Sequence, residues 1–90
     1  MEVRKLVAWN LRRLRVQKGL SQEALAVDAE IDRTYVSRLE RVLENPTVVV
    51  LDRLAGALGA EISDFFRKPK VGEKQPQPLR GGRRPARRTI

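Results

Sequence analysis

There is no cysteine and no histidine among the 90 residues, and these absences remove most of the usual reactive groups. Without thiols there is no disulfide framework and no zinc–thiolate site. Without imidazole the common metal ligands and general bases are missing, so neither a metal nor any other cofactor is expected. A chain with these absences suits a reducing cytoplasm. Aromatic residues make up 4% of the chain, too few for the stacking platforms that hold single-stranded nucleic acid. Long apolar runs are also missing, and charges are scattered through the N-terminal segment. Neither a signal peptide nor a membrane span is expected. The nucleophile candidates are serines and threonines with no histidine to activate them. Asp32 and Glu40, the best carboxylate pair, fall about 12 Å apart along a helix, farther than paired carboxylates act. No enzyme is expected.

What is present in excess is positive charge, a formal +8, and it is unevenly placed. Residues 1–66 hold ten Lys or Arg and ten Asp or Glu, which cancel, whereas residues 67–90 hold nine Lys or Arg against Glu73 alone. The second set accounts for the whole +8. Residues 68–90 also carry four prolines, three glycines and few large apolar side chains, a composition that cannot build a core. The chain therefore divides into a globular domain over 1–67 and a basic tail over 68–90, disordered when alone. Such a tail suits a phosphate backbone, a protein partner, or simple solubility. Its Gly82-Arg83-Arg84-Pro85 run has a faint likeness to the AT-hook, a minor-groove motif, interrupted by an extra arginine.

Periodicity in the first 66 residues points to an all-α domain. Val3, Leu6, Val7, Leu11 and Leu14 form a stripe at helical spacing, with Arg4, Arg12 and Arg13 turned mostly away, and Gly19 ends this first helix. Trp9 lies off the stripe, either marking a partner surface or folding onto a neighbouring terminal helix; Asn10 borders it as a satisfied polar residue. Ser21 caps a second helix of about eight residues, with Leu25, Ala26 and Ala29 on one face. Asp32 is the next start signal, after which Val36, Leu39 and Leu43 mark the buried side of a third helix. Arg33, Thr34, Ser37 and Arg38 are left on its outer side. Val42 to Pro46 is a loop whose proline disfavours helix before it, Thr47 caps a fourth helix closed by Gly59, and Ile62, Phe65 and Phe66 fit a short fifth that closes the core, or core and dimer interface together. Two short helices, a tight turn and a basic outer face on the second are the ingredients of a DNA-binding helix-turn-helix, and an ordinary helical hairpin would show the same spacing.

The residues Ser21, Gln22, Leu25, Ala26, Ile31, Val36, Ser37, Leu39 and Glu40, followed by Asn45-Pro46-Thr47 and the Leu-Ala-Gly-Ala-Leu-Gly run at 54–59, settle on one pattern. Over roughly residues 5–66 the chain resembles the Cro and phage-repressor family of helix-turn-helix regulators (XRE-type). The resemblance implies a five-helix, lambda-repressor-like DNA-binding domain. It also implies base contacts from Arg33, Thr34 and Arg38, to which Ser37 is added by position. Phosphate contacts fall to Gln22, Tyr35 and Arg41, and an ion pair between Arg15 and Glu40 orients the recognition helix. The turn glycine of the family is Glu30 here, and the glycine that ends the recognition helix is Val42. A left-handed Glu30 would carry strain on the order of 1–2 kcal/mol.

A single recognition helix reads few base pairs, so a homodimer on a palindromic double-stranded operator is expected. Its interface would draw on Ile62, Phe65 and Phe66, with Val49, which points away from the buried stripe of the fourth helix. The rival expectation is an antitoxin, a DNA-binding protein of the same fold whose tail neutralises a protein partner. Against it, the tail offers only Val71, Leu79, Ala86 and Ile90 as anchors, spaced too widely for a groove-binding helix.

Overall fold

The computed structural model describes residues 1–74. Among these the regular elements are all helical: α1 (Val3–Lys18), α2 (Gln22–Ala29), α3 (Arg33–Glu40), α4 (Val48–Leu58) and a 3-10 helix (Ile62–Phe66). The helix boundaries follow local chemistry. Oγ of Ser21 accepts from the Ala24 N–H at 3.0 Å and Oγ1 of Thr47 accepts from the Val50 N–H at 3.1 Å, so α2 and α4 each start on a side-chain cap. Gly19 and Gly59 end α1 and α4 in the left-handed region, at φ 78 and 65.

Leu11, Leu25, Val36, Leu54 and Phe65 are fully buried, with Val7, Leu39, Leu51 and Leu58 around them. α2 lies against α3 and α4, while α1 packs along the 3-10 helix and touches α3. The result is one shared apolar centre with α3 at its edge, inner side buried and outer side uncovered by the other described helices.

Several expectations need correction. The last element is a 3-10 helix, so the described fold has four α-helices and one short tighter turn. Ile62 and Phe65, three residues apart, face inward together at that winding. Phe65 is fully buried in its own domain and therefore cannot serve a subunit interface as expected. α3 stops at Glu40, just before the expected loop from Val42, where Arg41 leaves helical geometry and Val42 takes φ 62; Leu43 is therefore 45% exposed, outside the buried stripe assigned to it. Val3 is exposed in the first turn of α1. Arg13, expected on the outside, is buried, with its Nε and Nη2 donating to Asn10 Oδ1 at 3.1 and 3.0 Å.

Asn10 is the reason. Its amide nitrogen donates to the carbonyls of Leu6, Phe65 and Arg67 at 3.1, 2.9 and 2.8 Å. Two hydrogens thus serve three carbonyls, one of them shared, and the side chain ties α1 to the end of the 3-10 helix. Burial and the neighbouring Arg67 charge both push the Arg13 pKa down from its ordinary value. Beyond Arg67 the chain does not lose its structure at once. Arg67 donates to the Glu73 carboxylate at 2.9 Å, and the same carboxylate accepts from the Lys70 N–H at 2.8 Å, closing a turn over 70–73. The start of the expected tail is therefore tied back to Arg67 through Glu73, with Val71 fully exposed in the turn, and residues 75–90, with the AT-hook-like run, lie outside the described residues.

Candidate nucleic-acid interface

The α2–α3 corner is built on a strained residue. Glu30 sits at φ 58, ψ 47, and this left-handed step lets the Ile31 N–H return to the Ala26 carbonyl at 2.9 Å. A side-chain cap is not what starts α3: Asp32 occupies the N-cap position, yet its carboxylate makes no capping hydrogen bond. The helix is instead held by what it buries. Val36 and Leu39 are 0% and 2% exposed, and half-buried Tyr35 packs beside the same core.

The inner end of α3 is fixed by charge. Arg15 grips Glu40 side-on, with Nε to Oε2 at 2.6 Å and Nη2 to Oε1 at 3.0 Å, and its Nη1 donates to the Leu20 carbonyl at 2.9 Å. Both side chains are almost wholly buried. Gln22 Nε2 adds a third bond to Glu40 Oε1 at 3.1 Å, which leaves one amide hydrogen of Gln22 unused by Glu40. The Arg15–Glu40 pair thus gathers α1, the α1–α2 turn and the first residue of α2 around the last residue of α3. Charge-assisted, bidentate bonds of this kind set orientation as well as energy.

On the outer side Arg33 and Thr34 are exposed in the first turn and Arg38 in the last, with Arg41 exposed just beyond at the C-cap. Thr34 and Arg38 are four residues apart and so are neighbours on one face; Arg33 and Ser37 stand in the same relation. Ser37, expected on the exposed front, is half-buried. Arg38 is not a loose cation. Its Nε donates to Glu44 Oε2 at 2.7 Å and its Nη2 to the Leu43 carbonyl at 3.3 Å, so it wraps back over the turn that follows α3. That turn is closed beneath it by the Leu43 N–H on the Arg38 carbonyl at 2.9 Å, with Val42 at φ 62. Burial, and to a smaller degree the Glu44 charge, push the Tyr35 phenol pKa up.

Glu44 was not among the residues singled out from the sequence. A partner six residues away across an irregular turn has no periodic signature, since the helical rule reaches only to i+4. The residues assigned to a subunit surface separate in the structure: Val49 and Phe66 are exposed, Ile62 is half-buried on the core and Phe65 is inside it. Val48, beside Val49, is 71% exposed and was not expected there. Among the described residues no cluster of carboxylates could hold a metal ion, and no helix is long and apolar enough to cross a membrane.

A family model described as "Helix-turn-helix domain" matches residues 6–64. The uncharacterised HTH-type transcriptional regulator y4dJ of Sinorhizobium fredii is 49% identical over 59 residues, 66% of this chain and 77% of that protein. A hypothetical transcription factor of Neisseria meningitidis is 39% identical over 69 residues, 77% of this chain and 65% of that protein. Among solved structures, the restriction-modification controller protein C.AhdI from Aeromonas hydrophila superposes with a TM-score of 0.68 at 41% identity, over 70% of this chain and 96% of that one.

Proposed function

The chain belongs to the helix-turn-helix family of DNA-binding transcriptional regulators, and from that premise we propose that it reads a palindromic double-stranded operator as a homodimer. The observation that carries this reading is the division of α3 into two sides. Its inner side is locked by Val36, Leu39 and the buried Glu40, and its outer side presents Arg33, Thr34 and Arg38 without another helix over them.

On this reading α3 enters the major groove, where arginine matches the two acceptors of guanine and each good bidentate contact discriminates by about 1–3 kcal/mol. Ser37, half-buried behind them, contributes at the rim. Gln22, through its unused amide hydrogen, Tyr35 and Arg41 take phosphates, which fixes register without choosing sequence. Two copies place their recognition helices about one helical turn, roughly 34 Å, apart. The exposed Val48, Val49 and Phe66, with half-buried Ile62, supply the apolar surface between them. Residues 75–90 add five arginines and no acid, an electrostatic arm that strengthens binding to every duplex and steepens its salt dependence.

The test is selection of bound sequences from random duplex DNA, run at two salt concentrations. A two-fold motif is the expected outcome, with Arg33→Ala losing preference at particular base pairs and removal of residues 75–90 lowering affinity while leaving the motif intact. Enrichment of no motif, or a sedimentation mass of one chain both free and on DNA, would overturn the reading.

A further inference from the structure

A guanidinium has two usable edges. The side edge is formed by the Nε hydrogen and the nearer Nη2 hydrogen; the end edge is formed by one hydrogen from each of Nη1 and Nη2. In Arg38 Nε is taken by Glu44 Oε2 at 2.7 Å and one hydrogen of Nη2 by the Leu43 carbonyl at the longer 3.3 Å. With Nε held, the edge left for a bidentate contact is the end edge, Nη1 beside Nη2, two parallel donors with the spacing that guanine O6 and N7 require. The Arg38 side chain is 45% exposed and that of Glu44 is 29% exposed, so the pair stands at the surface with its acidic member the better covered.

We propose that Glu44 sets the sequence specificity of Arg38 by holding the side edge of its guanidinium, so that the end edge is presented to a guanine in the major groove. The proposal rests on α3 reading DNA. Glu44 is a positioning residue, since it acts through Arg38 and touches no base itself. Two features argue that its role is orientation and not charge. A carboxylate on a face that meets phosphates weakens binding to all duplexes alike, and so supplies nothing useful as a charge. A free arginine, by contrast, has several rotatable bonds to immobilise on each contact, and a hydrogen bond at Nε removes most of that freedom in advance. The turn is also fixed by its own backbone bonds, Leu43 N–H to the Arg38 carbonyl at 2.9 Å and Val42 N–H to the Leu39 carbonyl at 3.1 Å. The carboxylate is therefore anchored to the same short stretch that ends the recognition helix.

The experiment compares the full chain with Glu44→Gln, Glu44→Ala and Arg38→Ala in selections from random duplex DNA, followed by affinities for the selected duplex and its single-base variants. Circular dichroism before each selection establishes that the variant is folded, and Glu44→Gln, the isosteric change, keeps the test open should Glu44→Ala unfold. Orientation predicts a graded series. Glu44→Gln retains an oxygen that can accept from Nε and should lose about 3-fold in discrimination at one base pair per half-site, whereas Glu44→Ala should lose roughly 10-fold there. In the Arg38→Ala background a second change at Glu44 should remove nothing more at that base pair. If Glu44→Gln and Glu44→Ala both bind every duplex more tightly by the same factor, with discrimination unchanged, Glu44 is only a competing charge and the proposal is overturned. If the unaltered chain itself enriches no motif, the proposed function fails, and this inference with it, a result recognisable because it appears before any variant is made.

Discussion

Two arginine–carboxylate pairs flank α3, and they differ in almost everything except chemistry. Arg15–Glu40 has side chains 6% and 4% exposed, whereas Arg38–Glu44 has side chains 45% and 29% exposed. In the first, the carboxylate also receives Gln22 and the arginine also reaches a carbonyl, so the desolvated groups are nearly all satisfied. In the second, nearly half of the arginine side chain still faces solvent. Burial decides what each pair can do. A sealed pair whose partners are all in place holds one geometry, because losing either member strands a charge in an apolar setting. An open pair adds little to stability, but it holds one edge of the arginine and leaves donors over for a second partner. The helix is thus sealed on its inner side, while on its outer side an oriented side chain still faces outward, as a surface that must meet a ligand requires.

The largest expected effect comes from breaking the inner pair alone. Glu40→Ala leaves the Arg15 guanidinium buried with the Leu20 carbonyl as its remaining acceptor and should destabilise the domain by about 3–5 kcal/mol. Arg38→Ala should stay within about 1 kcal/mol. Denaturant titration of both variants checks the contrast, and equal losses would abolish the distinction drawn here. The double change Arg15→Met with Glu40→Leu sharpens it further: both charges leave together, and stability should recover most of the loss while the orientation of α3, read by DNA affinity, does not.

Next in size is Asn10→Ala. It deprives the Phe65 and Arg67 carbonyls and the buried Arg13 guanidinium of their shared partner. The expected loss is about 2–3 kcal/mol, measured by thermal unfolding. A loss below that of an ordinary surface substitution would show that water replaces the amide without penalty, and the seal between α1 and the 3-10 helix would then be no tighter than the outer pair.

Smaller, and opposite in sign, is Val42→Gly. A β-branched residue at φ 62 carries left-handed strain, so glycine should stabilise by about 1 kcal/mol. Because the same turn carries Leu43 and Glu44, the glycine should also loosen Arg38 and reduce discrimination among duplexes. Greater stability with undiminished discrimination would detach the outer pair from its turn.

The smallest effect concerns Glu73, whose pKa is held below the ordinary 4.5, first by the Arg67 hydrogen bond and then by the Lys70 N–H. A depressed folded pKa means that the stabilisation is present above 4.5 and fades as pH falls through the folded value. The stability difference between the unaltered chain and Glu73→Gln should therefore be present at neutral pH and vanish in acid. A difference independent of pH would mean that the turn over 70–73 owes nothing to the charge.

How much of this could be read from the sequence depended on range. Ser21, Thr47, Gly19 and Gly59 act within one helical turn, and their positions located three of the four α-helices closely. The departures at Glu30 and Val42 marked the two non-glycine residues that, among those described, adopt left-handed backbone, because the family pattern has glycine at both. Long-range partners were legible only through that pattern: Arg15 and Glu40, 25 residues apart, meet as the resemblance implied. Where the pattern is silent, the reading failed. Arg13 was turned outward because its periodic position is outward, and only the packing of Phe65 and Arg67 onto Asn10 draws it in. Phe65 stands for either the core or a partner subunit in the sequence, because nothing local distinguishes a phenylalanine that fills its own core from one that covers a neighbour, and only the packing chooses the core. Asp32 was correctly placed as a cap position, yet its carboxylate leaves the job undone.

The Asn10 contacts have a kinetic side as well. They join residues 55 and 57 positions apart in sequence, so forming them closes a loop of nearly the whole domain, and the entropy of that closure must be met before the bonds return anything. Contacts of such separation are expected to form after the transition state, when α2, α3 and α4 have already assembled through shorter loops. Asn10→Ala should then leave the folding rate almost unchanged and place nearly all of its effect on the unfolding rate. The side chain that fastens the two ends of the domain would act as a latch, absent from the barrier to entry and present in the barrier to exit, and the lifetime of the folded state would depend on it more than the speed of reaching that state.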